Sequence, residues 1–293
     1  MRTSHKEMRR KINAEVSKIT DEELFSSAAF AAYLTDIAEA VTKRYKRRLR
    51  VETIYDTSEN AMIACTNNRN ILINTGNYIS QSMPYRKLKA ESILGLVGHE
   101  VGHMLFTNFR ISETYFSELS YGRLYPQMEL SEEEQESFTE VTDYFKTGTE
   151  AQKQAIRKAA KLLLNILEDA YIEARICDRY TGRFATGIHL NNIRFTEMMP
   201  SVTEQLTNGC YRFSVFCNLL NQYCRSGDIN NRDGYAGELL DLFYDVLPLV
   251  DDAIYDEDMK RRCYAVNRIL LMVWAYIKAV SYTHLRAHET SAH

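Results

Sequence analysis

The chain lacks any apolar run long enough to cross a bilayer; its longest late stretch, residues 269 to 277, falls well short of the roughly 20 residues a spanning helix needs. No apolar segment follows the opening Met1-Arg-Thr-Ser-His-Lys6, so a secretory signal is not expected, and a cytoplasmic location is. The six cysteines, Cys65, Cys177, Cys210, Cys217, Cys224 and Cys263, contain no C-x-x-C pair, which fits a reducing compartment. Cys210, Cys217 and Cys224 repeat every seven residues and read as small hydrophobes stacked on one helical face. Charge of one sign is lacking too, with a formal net of −3 over 293 residues. The first fifty residues do carry 12 Lys and Arg against 7 Asp and Glu. Their densest stretch, Lys43-Arg-Tyr-Lys-Arg-Arg-Leu-Arg50, reads as a cationic helix end complementing its own dipole. With no recognisable base-reading motif, neither nucleic acid nor membrane is an expected partner.

Histidine is scarce, and two of the seven stand in the pentapeptide His99-Glu100-Val101-Gly102-His103. On a helix, residues four apart share a face, so both imidazoles can reach one cation while the intervening glutamate stays beside its open coordination position. Neutral imidazole suits Zn²⁺, and a catalytic zinc site needs three protein ligands plus a water whose pKa falls to roughly 7. Glu100 is then the general base for that water and the proton donor to the leaving amine. Ser82 and Pro84 form a start signal for an apolar helix of about 24 residues that carries the motif. Gly95, Gly98 and Gly102 make a stripe along it, which predicts another backbone packed closely there, and the helix bearing the third ligand is expected in that place.

Outside the motif and the last residues only His5 and His189 remain, and Phe106 and Phe109 stand where an H-E-x-x-H-x-x-G-x-x-H extension would need Gly and His. A carboxylate is therefore the expected third ligand. Thr149 and Gln152 make a capping box for a helix reaching about residue 180. A step of 100° per residue puts Leu162, Asn165, Ile166, Asp169, Ile172, Glu173 and Ile176 on one face, and Glu168 with Arg157, Lys161 and Arg175 on another. Acids on an apolar face need compensation. Asp169 is assigned as the third zinc ligand, Asn165 and Glu173 as residues hydrogen-bonded around it, and Glu168 as the rival ligand. A buried ion-pair network without metal is the other explanation of these acids.

The segments Gly98-His-Glu-Val-Gly-His-Met-Leu-Phe-Thr-Asn-Phe109 and Leu163-Leu-Asn-Ile-Leu-Glu-Asp-Ala-Tyr-Ile-Glu173 resemble the zincin-like metallopeptidase region that precedes a von Willebrand A domain in cobaltochelatase-like bacterial proteins. A related group carries N-x-x-x-D-x-x-x-N downstream of its H-E-x-x-H. Asn165, Asp169 and Glu173 match that spacing, with Glu in place of the last Asn. The resemblance covers roughly residues 50 to 180. It implies a zinc peptidase, or alternatively a non-proteolytic, metal-containing subunit of a chelatase-like or chaperone-like assembly, working beside a ring-forming ATPase. A helical interaction protein without metal is a third reading of the residues.

Around these segments the expected class is α+β and mainly helical, a zincin-like core with a small sheet before the metal helix and a C-terminal helical subdomain. A helix is expected over about 20 to 48, opened by a capping box at Thr20 and Glu23. Strands are expected at 50–55, 61–65 and 71–74, the last two joined by the turn Asn67-Asn-Arg-Asn70, with 71–74 as the sheet edge on which an extended peptide lies. The acidic stretch from Ser131 reads as a capped, solvated helix, and Tyr115, Tyr121 and Tyr125 are candidate donors to an oxyanion. The organisation is thus 1–49 basic and helical, 50–195 metallopeptidase core, 196–280 helical subdomain and 281–293 a tail. That tail, Ser281-Tyr-Thr-His-Leu-Arg-Ala-His-Glu-Thr290 onward, resembles translated sequencing-adapter read-through, so its pair His284 and His288 is discounted as a metal site. The natural chain is accordingly expected to continue past residue 280, with a von Willebrand A domain in the missing part.

Overall fold

The computed structural model describes residues 4–45, 48–58 and 61–279. The first part of the chain forms α1 (His5–Val16), α2 (Asp21–Phe25), α3 (Ala28–Thr42), β1 (Arg50–Ile54), β2 (Ala64–Thr66), β3 (Asn70–Asn74), α4 (Tyr78–Gln81) and α5 (Arg86–Phe106). Then follow α6 (Phe109–Ser120), α7 (Glu132–Thr147), α8 (Glu150–Arg179), α9 (Arg183–Met198) and α10 (Val202–Thr207). Beyond them lie α11 (Arg212–Ser226), α12 (Glu238–Tyr255) and α13 (Met259–Met272). The fold is therefore mainly helical with one three-stranded sheet, and none of its described helices is long and apolar enough to cross a membrane. Two compact units arise, one from the chain up to Leu105 with Arg175–Asn191, the other from Phe106–Ala174 with the chain from Asn192 onward. The basic residues Lys46 and Arg47 and the adapter-like tail lie outside the described residues.

In the first unit the capping box of Thr20 and Glu23 forms, but it opens two helices rather than the single one expected over 20 to 48. Ser26 ends α2, and the Ser27 hydroxyl accepts the Phe30 N–H at 3.2 Å to start α3. Serine side chains give the backbone a local bonding partner that competes with helix continuation, and two in a row suffice here. Helix α3 stops at Thr42, with Lys43 left-handed at φ 56°, so the basic stretch follows the helix instead of forming its last turn. Arg44 crosses to the sheet and donates to the carbonyl oxygen and Oδ1 of Asn68, at 2.7 and 2.9 Å.

The sheet order is β1-β3-β2, with β1 parallel and β2 antiparallel to β3. The Asn67–Asn70 turn forms as expected, Asn67 Oδ1 accepting from the N–H groups of Arg69 and Asn70. Strand β3 is central, which corrects its expected place at the edge; the edges are β1 and β2. Its apolar residues explain the difference: Ile71 and Ile73 are fully buried, and Ile71 lies opposite the buried Val51 of β1. At the end of β3 the buried Asn74 donates to the carbonyls of Asp56 and Met62 and accepts from the N–H groups of Asp56 and Gly76. All four capacities of that amide are thus used, which holds the turn from the sheet into α4.

Helix α5 is buried along most of its length, through Ile93, Leu94, Val97, Val101 and Met104 among others. Two of its glycines permit close packing. A Cβ at Gly95 would strike the backbone of Gly187 and lie 2.7 Å from the Ile188 nitrogen, and one at Gly98 would meet the Phe184 ring at 2.9 Å. The close neighbour at these positions is therefore α9, not the acid-bearing α8 expected there. Beside it, Ser92 Oγ donates to Asn191 Oδ1 at 2.6 Å while Asn191 Nδ2 donates back to the Ser92 carbonyl at 2.9 Å, so α5 is locked to α9 in register as well as in distance.

The start of α5 is tied to α2 by Arg86 and Lys89, which donate to Asp21 Oδ1 and Oδ2 at 2.6 and 2.8 Å. Burial opposes ionisation of Asp21, but the hydrogen bonds and charges of Lys89 and Arg86 outweigh it and hold the carboxyl below its ordinary value of 3.8. A depressed folded-state pKa contributes stability that is present above the unfolded value and is lost as pH falls through the folded one. Asp21→Asn should therefore lower stability by about 1 kcal/mol at neutral pH. In urea unfolding the deficit should vanish well below pH 3.8; a deficit of the same size there would contradict the ion-pair account.

The second unit is built on one core running from Tyr115 and Leu119 of α6 through Val141, Leu163 and Leu167 to Phe216, Phe243, Val266 and Trp274. The residues read as a separate helical region from 196 onward share this core with α6, α7 and α8. Helix α7 has the expected capping box at Ser131 and Glu134, yet it is not simply solvated. Glu134 accepts from Arg268, and Glu140 accepts from Trp274 Nε1 and Lys278 Nζ at 2.7 Å each.

Candidate metal centre

Helix α5 carries the pentapeptide in its last two turns, where the surrounding apolar residues keep the backbone helical and half-bury both imidazoles. The His99 and His103 ring centroids are 4.9 Å apart with planes at 81°, so one helical turn stacks the rings edge to face. Glu100 is only 4% exposed. Strand β2 lies near it: burial pushes the Cys65 thiol above its ordinary value, and the Glu100 charge adds to that shift.

Helix α8 presents its acids differently from the face analysis. Leu162 and Asn165 are exposed, Asp169 is half-buried, and Glu173 and Glu168 are buried. Among the described residues the exposed Asn165 side chain makes no hydrogen bond, to Asp169 or to any other group. Glu168 is the unexpected one. Its Oε2 accepts from Arg262 Nε at 2.6 Å and its Oε1 from Thr107 Oγ1 at 2.8 Å, while the Arg262 guanidinium lies 3.8 Å from the Tyr171 ring centroid. Arg262 also donates to the carbonyls of Ala253 and Asp256. The metal-free ion pair weighed for this segment is realised at Glu168, which is consumed by Arg262. Nothing local could have announced it, because the partner stands 94 residues away inside Lys260-Arg-Arg262, a run that reads as surface charge.

Glu173 and Asp169 face a second arginine. Arg225 of α11 lies 3.6 Å from Glu173 Oε1 and 3.7 Å from Asp169 Oδ2, and Asn192 Nδ2 donates to Glu173 Oε2 at 2.7 Å. Neither Arg225 nor Asn192 belongs to a motif that the sequence displays. Of the tyrosines offered as oxyanion donors, Tyr115 is buried in the core of the second unit beside Cys263, and Tyr121 is 71% exposed with Arg123 over its ring. The cysteine repeat is only partly stacked, since Cys210 is exposed and precedes α11, whereas burial pushes the Cys217 thiol well above its ordinary value and Cys224 up to about 12.

Among the described residues, one group of potential ligands could hold a metal ion: His99, His103 and Asp169, with one donor atom from each lying within 4.8 Å of the others. A tetrahedral zinc site with bonds near 2.0–2.1 Å requires donors roughly 3.4 Å apart, so closure around an ion asks for contractions of at most about 1.4 Å. Two imidazoles and a carboxylate form a donor set suited to zinc, and three ligands leave a coordination position open. Compared with known proteins, the chain matches no family model, no curated protein and no solved structure.

Proposed function

We propose that the chain is a zinc-dependent peptide hydrolase in which His99, His103 and Asp169 hold the metal and Glu100 is the general base. The observation that carries this reading is the convergence of those three donors within 4.8 Å of one another, with a buried glutamate next to the first histidine on the same helix. A zinc ion in such a set lowers the pKa of a coordinated water to about 7 and polarises a substrate carbonyl. Glu100 takes the proton from the attacking water and returns it to the leaving amine; its burial strengthens both transfers by excluding bulk solvent. The edge strand β2, whose Cys65 thiol feels the Glu100 charge, accepts an extended peptide through backbone hydrogen bonds, taking the role that β3 cannot fill from the centre of the sheet. Hydrolysis that stops on chelation, returns with zinc, and disappears in Glu100→Gln tests the reading; absence of metal-dependent hydrolysis in the parent chain overturns it.

A further inference from the structure

Asp169 and Glu173 are one helical turn apart on α8, so either carboxylate faces the same region and either has the chemistry of a third ligand. Asp169 belongs to the converging donor group and Glu173 does not. Glu173 is gripped at both oxygens, Oε2 by the Asn192 amide at 2.7 Å and Oε1 by the Arg225 guanidinium at 3.6 Å. Asp169 has Arg225 at 3.7 Å from Oδ2. Arg225 is itself oriented by three neighbours: its Nε donates to Asn221 Oδ1 at 2.7 Å, its Nη1 donates to Asn192 Oδ1 at 3.0 Å, and its guanidinium lies 5.1 Å from the Phe195 ring centroid. Asn192 thus holds the arginine with its oxygen and the glutamate with its nitrogen. A planar fork fixed in this way can serve two carboxylates at once, which a lysine cannot.

We propose that Arg225 is a positioning residue that selects Asp169 as the metal ligand by retaining Glu173, and that its charge keeps zinc affinity below what the two acids would otherwise give. This rests on the metal-centre reading above. Two like charges one turn apart repel, and Arg225, 3.7 Å from Asp169 and 3.6 Å from Glu173, offsets that repulsion. Without it both carboxylates lose that counter-charge, and a positive charge close to the ion is gone. At 20% side-chain exposure Arg225 is partly screened by solvent, which limits the expected gain in affinity to about tenfold.

The test is zinc affinity, measured by chelator competition on the metal-stripped full chain for wild type, Arg225→Gln, Glu173→Gln and the double variant. Arg225→Gln should bind zinc about tenfold more tightly. Glu173→Gln alone should stay within about twofold of wild type, and in the Arg225→Gln background it should remove the gain. Asn192→Ala frees Glu173 from its other side and should tighten binding in the same direction, which keeps the test available if Arg225→Gln does not fold. A merely structural arginine would lower stability without raising affinity or coupling to residue 173. Weaker or unchanged affinity in both single releases overturns the selector role, as does loss of binding in Glu173→Gln alone, which would make Glu173 a ligand. A wild-type chain that holds no zinc at all overturns the metal centre itself, so the two failures are distinguishable.

Discussion

Glu100→Gln should bind zinc as the parent chain does and hydrolyse peptides at least about a hundredfold more slowly. The substitution is close to isosteric, and Glu100 is not among the three converging donors, so its removal leaves the ligand set intact. An amide cannot take the proton of the attacking water, and the loss should appear in kcat with little change in KM, since the base acts in the transition state. Glutamine at a position only 4% exposed keeps the shape and volume of the site, so stability should move little. The same pair of assays separates the two functions that the motifs allow. A non-proteolytic metal-containing subunit of an ATPase-associated assembly would keep its metal and its assembly behaviour unchanged by Glu100→Gln, with no hydrolysis to lose.

Arg262→Met should destabilise the chain by about 3–5 kcal/mol. Arg262 and Glu168 are 1% and 5% exposed in their side chains and only 2.6 Å apart, and removing one partner leaves a buried charge with no counter-ion. The attraction across such a pair is largely offset by the desolvation of both ions, so the loss reflects the abandoned carboxylate more than the bond itself. Replacing both partners by apolar residues, Arg262→Met with Glu168→Leu, should therefore recover much of the stability. A urea midpoint for Arg262→Met within about 1 kcal/mol of wild type would show that the pair is not buried as described. The consequence for the site is specific: Glu168 is bonded to Arg262 and Thr107, which withdraws it from competition with its neighbour Asp169.

What could be read in advance follows the range of the forces involved. The capping boxes at Thr20, Ser131 and Thr149, the Asn67–Asn70 turn and the helix under the pentapeptide are specified within a few residues, and each was legible. The break between α2 and α3 was local as well, but the apolar periodicity on both sides of Ser26 and Ser27 hid it. Strand order was not legible, because the parallel pairing of β1 with β3 joins residues 20 apart through a register that a single strand does not encode. The glycine stripe announced a close neighbour without saying which, and the collision geometry assigns Gly95 and Gly98 to Gly187 and Phe184 of α9.

For the candidate centre, spacing alone nominated His99, Glu100, His103 and Asp169, since i, i+4 geometry is a property of any helix. The acids' partners were hidden because Arg225 and Arg262 come from α11 and α13, and nothing in the residues around an arginine marks it as an ion-pair partner. Helical periodicity also misplaces Glu168 and Asn165. It treats a helix as having one apolar side, whereas residues 163 to 173 of α8 are enclosed over most of their circumference and Asn165 falls in the remaining gap.

The most direct measurement of the central claim is anomalous diffraction at the zinc edge from crystals of the full chain grown with zinc. The account predicts a single strong scatterer about 2.0–2.2 Å from a ring nitrogen of His99, a ring nitrogen of His103 and a carboxylate oxygen of Asp169, with an open position facing Glu100. A scatterer elsewhere, or one held by the histidines without residue 169, would contradict it.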